Sequence, residues 1–121
     1  MALNLIILAP QPHSLGTFAR LIRNGGFEVG ESEDQLSVEV DGRWILIYEF
    51  GVEDYDPDEL AEVRSEIGEP RAFAIRHRSL AEVGKVAMLC ANKGVYVDDD
   101  AGRIVKGDDF VKSLREQGVV P

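Results

Sequence analysis

The chain has 121 residues, 45% of them hydrophobic, and a formal net charge of -9 from 22 acidic and 13 basic side chains. That length suits one domain, which should bury roughly two thirds of the surface its unfolded chain exposes. The acidity disfavours nucleic-acid binding, which depends on Lys and Arg neutralising phosphates, and it disfavours docking on an anionic membrane.

The first element is "LNLIILAP" (3–10), an aliphatic run stopped by Pro10 that reads as a fully buried strand. The opening "MALNLIILAP" has no basic leader and is too brief to span a membrane, so cytoplasmic residence is expected. A helix follows. Ser14 is its N-cap, Leu15, Phe18, Leu21 and Ile22 share one face, and Gly25 with Gly26 ends it. "FEVGES" (27–32) reads as a strand. "QLSVEV" and "RWILIYEF" flank Asp41-Gly42, a pair suited to the positive φ of a tight hairpin turn. The alternation of Leu36, Val38 and Val40 gives the first of these strands one wet face. The continuous "WILIY" places the second centrally in the sheet.

Asp56-Pro57 is expected to open the next helix, with Leu60, Val63 and Ile67 as its apolar stripe and Gly68 as its stop. "RAFAIRH" (71–77) is a strand. Ser79 and Glu82 match a capping box ahead of "VGKVAMLCANKG", and Gly94 closes that helix. "VYV" and "RIV" form a second hairpin through "DDDAG". Asp108 or Asp109 then caps a last helix with Phe110, Val111 and Leu114 facing inward. The predicted class is α+β: one domain over 1–121, with helices packed on a mixed, mostly antiparallel sheet. The pairing of "GGFEV" with "KGVYV" and of "DGRWIL" with "AGRIVK" admits a duplicated βαββα unit.

Motifs for bond-making chemistry are scarce. HExxH, CxxC, GxxxxGK[ST] and GxSxG are all missing, so neither a cofactor nor a metal is expected. The glycine-rich "NGGFEVG" runs from helix to strand, the reverse of a dinucleotide fingerprint. "VDDDAG" lacks the ligand spacing of a calcium loop and reads as a turn. Cys90 is the only cysteine, expected as a packed thiol on a buried helix face. Two histidines lie at strand ends: His13 just after the first strand, and His77 closing the 71–77 strand within "RHRS", beside Arg76 and Arg78. Matching strand ends would make His13, Arg76 and His77 a candidate pocket. The competing reading has His77 packed on the same face as Phe73 and Ile75.

The most charged stretch is "FGVEDYDPDELAEVRSE" (50–66), with seven carboxylates and one arginine. Glu59, Glu62 and Glu66 step by three and four, so they line one helical face beside the apolar stripe. Their repulsion costs only a few tenths of a kcal/mol per pair in water, so a solvated helix tolerates it. Glu53, Asp54 and Asp56 precede them, and Tyr48, Phe50 and Tyr55 lie nearby. Carboxylates speed encounter with a basic surface, and aromatic side chains hold the complex.

In acidity, size, α+β layout and endings such as "GRIVKGDDFVKSLREQG", the chain resembles bacterial immunity proteins, small domains that neutralise toxins such as nucleases. That resemblance implies a non-enzymatic inhibitor that binds a basic toxin domain, with Glu53, Asp54, Tyr55, Asp56, Glu59 and Glu62 as the contact set. The tandem topology also resembles the glyoxalase and vicinal-oxygen-chelate group. That resemblance implies His and Glu ligands on strands around a cavity. Glu39 and Glu49 are the acids at hand, but no strand offers a matched histidine. The alternative it supports is a small-molecule binder or enzyme with its pocket near His13 and His77. A homodimer pairing through an open sheet edge is the third possibility.

Overall fold

The computed structural model describes residues 3–77, 80–91, 94–98 and 103–120. The elements run β1 (Leu3–Ala9), α1 (Leu15–Asn24), β2 (Val29–Glu31), β3 (Gln35–Val40) and β4 (Arg43–Phe50). A 3-10 turn (Val52–Asp54) and α2 (Ala61–Ile67) follow. Then come β5 (Arg71–His77), α3 (Leu80–Cys90), β6 (Tyr96–Asp98), β7 (Ile104–Lys106) and α4 (Gly107–Glu116). The strands form one seven-stranded sheet in the order β2-β3-β4-β5-β1-β6-β7. Every described pairing is antiparallel, which sharpens the expected mixed sheet.

Local chemistry explains most boundaries. The Ser14 side chain accepts from the Thr17 backbone N–H, and the Thr17 hydroxyl accepts from the Ser14 N–H. This reciprocal cap satisfies two orphan donors at the start of α1. Asp41 and Gly42 both take positive φ, 52° and 81°, which the two-residue β3–β4 turn requires. Helix α4 begins without a side-chain cap bond, so neither Asp108 nor Asp109 is its N-cap. Both lie in its first turn, where carboxylates favour the positive end of the helix dipole. The Ser79–Glu82 capping box, Arg78 and the 99–102 turn fall outside the described residues or side chains.

Helices α1, α3 and α4 cover one sheet face. Their core includes Ile7, Val38, Ile45, Ile47, Phe73 and Ile75 from the strands, with Phe18, Ile22, Val86 and Leu114 from the helices. Phe18 meets Phe73 edge-on, with centroids 4.7 Å apart at 74°. Cys90 is buried in this core, as its sequence context predicts. The opposite face carries α2, whose Leu60 and Val63 are buried against Leu8, Ala72 and Tyr96.

The two halves differ in layout. β2 is an outermost strand, whereas β6, its counterpart by sequence echo, lies beside β1. Their closing helices, α2 and α4, sit on opposite sheet faces. The echoing segments therefore do not occupy equivalent positions in the sheet.

Candidate functional site

On the face that carries α2, strand pairing aligns a row of residues across the sheet: Phe50, Ala72, Leu8, Tyr96 and Lys106. The neighbouring row is Gln35, Tyr48, Ala74, Ile6, Asp98 and Ile104. α2 lies over the first row because its apolar residues recur at helical spacing and have no other apolar surface to cover.

The segment leading into α2 is pinned to this face by Tyr55. Its hydroxyl donates to Asp98 Oδ2 at 2.6 Å, and its ring joins the cluster with Val52 and Phe50. Tyr55 is thus half-buried and holds the segment in place, so it is less free to meet a partner than its sequence neighbours imply. Residues 56–60 form successive turns, with Glu59 N–H bonded to Asp56 O and Leu60 N–H to Pro57 O. The helix proper starts at Ala61, four residues later than Pro57 predicts. Glu59 reaches back to accept from the Asp56 backbone N–H at 3.1 Å.

Glu53, Asp56, Glu59 and Glu62 are all exposed. Asp54 closes the 3-10 turn, and its side chain lies outside the described residues. Arg64, the single cation of the stretch, does not offset the glutamates. It binds Glu69 through Nε and Nη2 at 2.9 and 3.1 Å. Among the described residues, Glu59, Glu62 and Glu66 make no ion pair. Their charge therefore faces outward without a neutralising partner.

Beside this face is a cleft of about 220 Å³ between α2 and the β6–β7–α4 corner. Glu66 and Ile67 of α2 line it on one side, Lys106, Gly107 and Asp108 on the other, with Tyr96 of β6 also in its lining. A neighbouring depression is lined by Glu59, Glu62, Val63 and Ile104. Tyr96 is 4% exposed, and its hydroxyl has no hydrogen-bond partner among the described residues. Burial, followed by the Glu66 carboxylate, pushes this phenol above its ordinary value, with Glu62 adding and Lys106 opposing. Sequence reading missed Tyr96 because nothing local distinguishes it from a core strand residue. Only the long-range packing of α2 over β6 makes its hydroxyl an orphan.

The histidine pocket is not assembled. β1 and β5 are antiparallel, with Ala9 opposite Arg71 and Leu3 opposite His77. The chain after β1 and the end of β5 therefore lie at opposite ends of the sheet, roughly 20 Å apart over six residues at ~3.3 Å each. His77 is buried, 7% exposed, on the three-helix face with Phe73 and Ile75, whereas Arg76 points to the other face and is exposed. His13 instead joins a structural cluster around Arg71. That guanidinium pairs with Glu49 at 2.7 and 2.8 Å and lies 5.6 Å from the Phe73 ring centroid. It also donates to the carbonyls of Gln11 and His13. Burial, then the Arg71 charge, lowers the His13 pKa, and the Arg71 hydrogen bond lowers that of Glu49. Glu39 and Glu49 project from opposite sheet faces, so they do not converge on a metal. Among the described residues, no group of three His, Cys, Asp or Glu is placed to hold one. No described helix is long and apolar enough to cross a membrane.

No protein-family model, curated protein or solved structure matches this chain. Function must therefore be argued from the chemistry of the surface itself.

Proposed function

We propose that this chain is a binding protein that recognises a basic partner protein through the acidic face of α2 and its leader. The kind of partner that fits is a cationic toxin enzyme such as a nuclease, which the chain would neutralise by covering its substrate cleft. The observation that carries this reading is the row of Glu59, Glu62 and Glu66, exposed and without ion pairs among the described residues, flanked by Glu53 and Asp56. A helix that needed these residues only for solubility would gain from interspersed cations, as mixed-charge helix faces do. Here Arg64, the one arginine of the stretch, is turned away to Glu69.

A net charge of -9 adds long-range attraction for a basic surface and raises the encounter rate at low salt. Tyr48 and Phe50 lie on the same sheet face, and Trp44, 59% exposed, extends its apolar area. The test is to titrate the chain into cationic bacterial nuclease domains and read inhibition of nucleic-acid cleavage. Glu59→Lys with Glu62→Lys should weaken inhibition at least tenfold. Inhibition that survives both substitutions would remove this face from the mechanism. The separation of His13 from His77 leaves no observation in favour of the glyoxalase-like alternative.

A further inference from the structure

We propose that the cleft between α2 and the β6–β7 hairpin is an anchor pocket that takes the guanidinium of an arginine from the basic partner. This inference rests on the acidic-face reading and identifies the group that face is built to seat.

The Tyr96 hydroxyl carries the argument. It is buried, with no partner among the described residues, on a side chain that lines the cleft. Buried polar atoms in folded proteins are nearly always hydrogen-bonded, so an orphan on a residue that lines a cleft, close to Glu66, Glu62 and Lys106, marks a place where a ligand supplies the bond. The volume, about 220 Å³, falls below the ~300–1,000 Å³ of pockets for drug-sized ligands. One side chain is the better fit.

Charge selects its type. Glu66 and Asp108 line the cleft, Glu62 stands at its edge, and Lys106 is the one lining cation. Lys106 is exposed at the rim and can swing into solvent. The pocket therefore favours a cation over an anion or a neutral group.

Geometry selects guanidinium over ammonium. A guanidinium presents five donors in a planar fork, enough to engage a carboxylate through two bonds and still reach a phenol oxygen. The Tyr96 hydroxyl can accept one donor while its own proton turns to a carboxylate. Ile67 and Val95 supply an apolar wall for the methylene stem. Gly94, with nothing within 4 Å of where a Cβ would stand, leaves the backbone open to close approach.

The test uses the full chain, isotope-labelled, with Nα-acetyl-arginine amide as the probe and amide shifts as the readout. Shifts should centre on Gly94, Tyr96 and Gly107 and saturate in the millimolar range. The citrulline analogue, isosteric but neutral, and the lysine analogue should each bind at least fivefold more weakly. Tyr96→Phe, which removes one oxygen and keeps the ring, should weaken the arginine probe at least fivefold. Glu66→Gln should do the same. Equal binding of arginine and citrulline probes, or shifts centred elsewhere, would overturn the pocket. Free arginine binding tenfold tighter than the blocked amide would mark a free-metabolite site and overturn the assignment to a partner's side chain.

The two proposals fail separately. If the probe binds as described while charge reversal at Glu59 and Glu62 leaves nuclease inhibition intact, the pocket stands and the acidic-face reading falls. If the probe does not bind while charge reversal abolishes inhibition, the face stands and the pocket falls.

Discussion

Replacing Tyr96 with phenylalanine should stabilise the protein. The Tyr96 ring packs with Leu8, Ala72, Leu60 and Val63, and phenylalanine preserves all of that contact. Only the hydroxyl is lost, and it has no hydrogen-bond partner among the described residues. In the unfolded chain that hydroxyl is hydrated, so folding strips its water and returns nothing. A buried, unsatisfied polar group costs about 1–3 kcal/mol. Tyr96 lies beside a cleft rather than deep in the core, so the lower end is taken, about 1 kcal/mol. Unfolding entropies of about 2.1 cal/mol/K per residue give about 250 cal/mol/K for a chain of 121 residues. The melting temperature should therefore rise by roughly 4 °C. Calorimetry, with urea melts to show an unchanged m-value, measures this directly. Tyr55→Phe is the matched control. Its hydroxyl donates to Asp98 at 2.6 Å, so the same chemical deletion should destabilise by about 1–2 kcal/mol. A Tyr96→Phe protein that loses more than 0.5 kcal/mol would show that the hydroxyl is satisfied in solution and refute the reasoning.

Gly107→Ala should destabilise by about 1–3 kcal/mol, because its new Cβ meets the Ala91 backbone carbonyl, which cannot rotate aside. A neutral result in a thermal melt would mean the α3–α4 corner yields freely. Burial raises the Cys90 thiol to about 12, so a disulfide-exchange reagent at pH 8 should label nothing in the native protein and one thiol in denaturant. Rapid native labelling would contradict the packed core. His13 is held below its ordinary 6.5 by burial and by Arg71, so the unfolded chain binds its proton more readily than the folded one. The His13 contribution to stability is therefore complete above pH 6.5 and is lost as pH falls through the lower folded value. Denaturation at pH 7.5 and 5.5 should show a smaller acid loss in His13→Asn than in the parent, and equal losses would refute this.

Much of the fold was legible from short-range signals. Asp41-Gly42 fixes the β3–β4 register, Ser14 starts α1, and apolar periodicity marks the buried faces of α1, α2 and α4. The strand order was not legible, because β1 pairs with β5 and β6 across long stretches of chain that no local pattern encodes. That gap explains the failed histidine pocket, since matching positions in sequence become opposite ends of an antiparallel pair. Pro57 misplaced the start of α2 because it is equally at home in the successive turns that precede the helix. The acidic face was visible as a three-and-four spacing of glutamates. The cleft beside it was not, because it exists only where α2 crosses β6 and strands a hydroxyl.

The central claim is that this molecule works through an uncompensated acidic surface, and one kinetic experiment tests it. The association rate with an inhibited cationic nuclease domain would be measured across ionic strength for the parent and for Glu59→Lys with Glu62→Lys. The rate should fall steeply with salt in the parent and drop at least tenfold on charge reversal, with the melting temperature nearly unchanged. An association rate indifferent to both salt and charge reversal would contradict it.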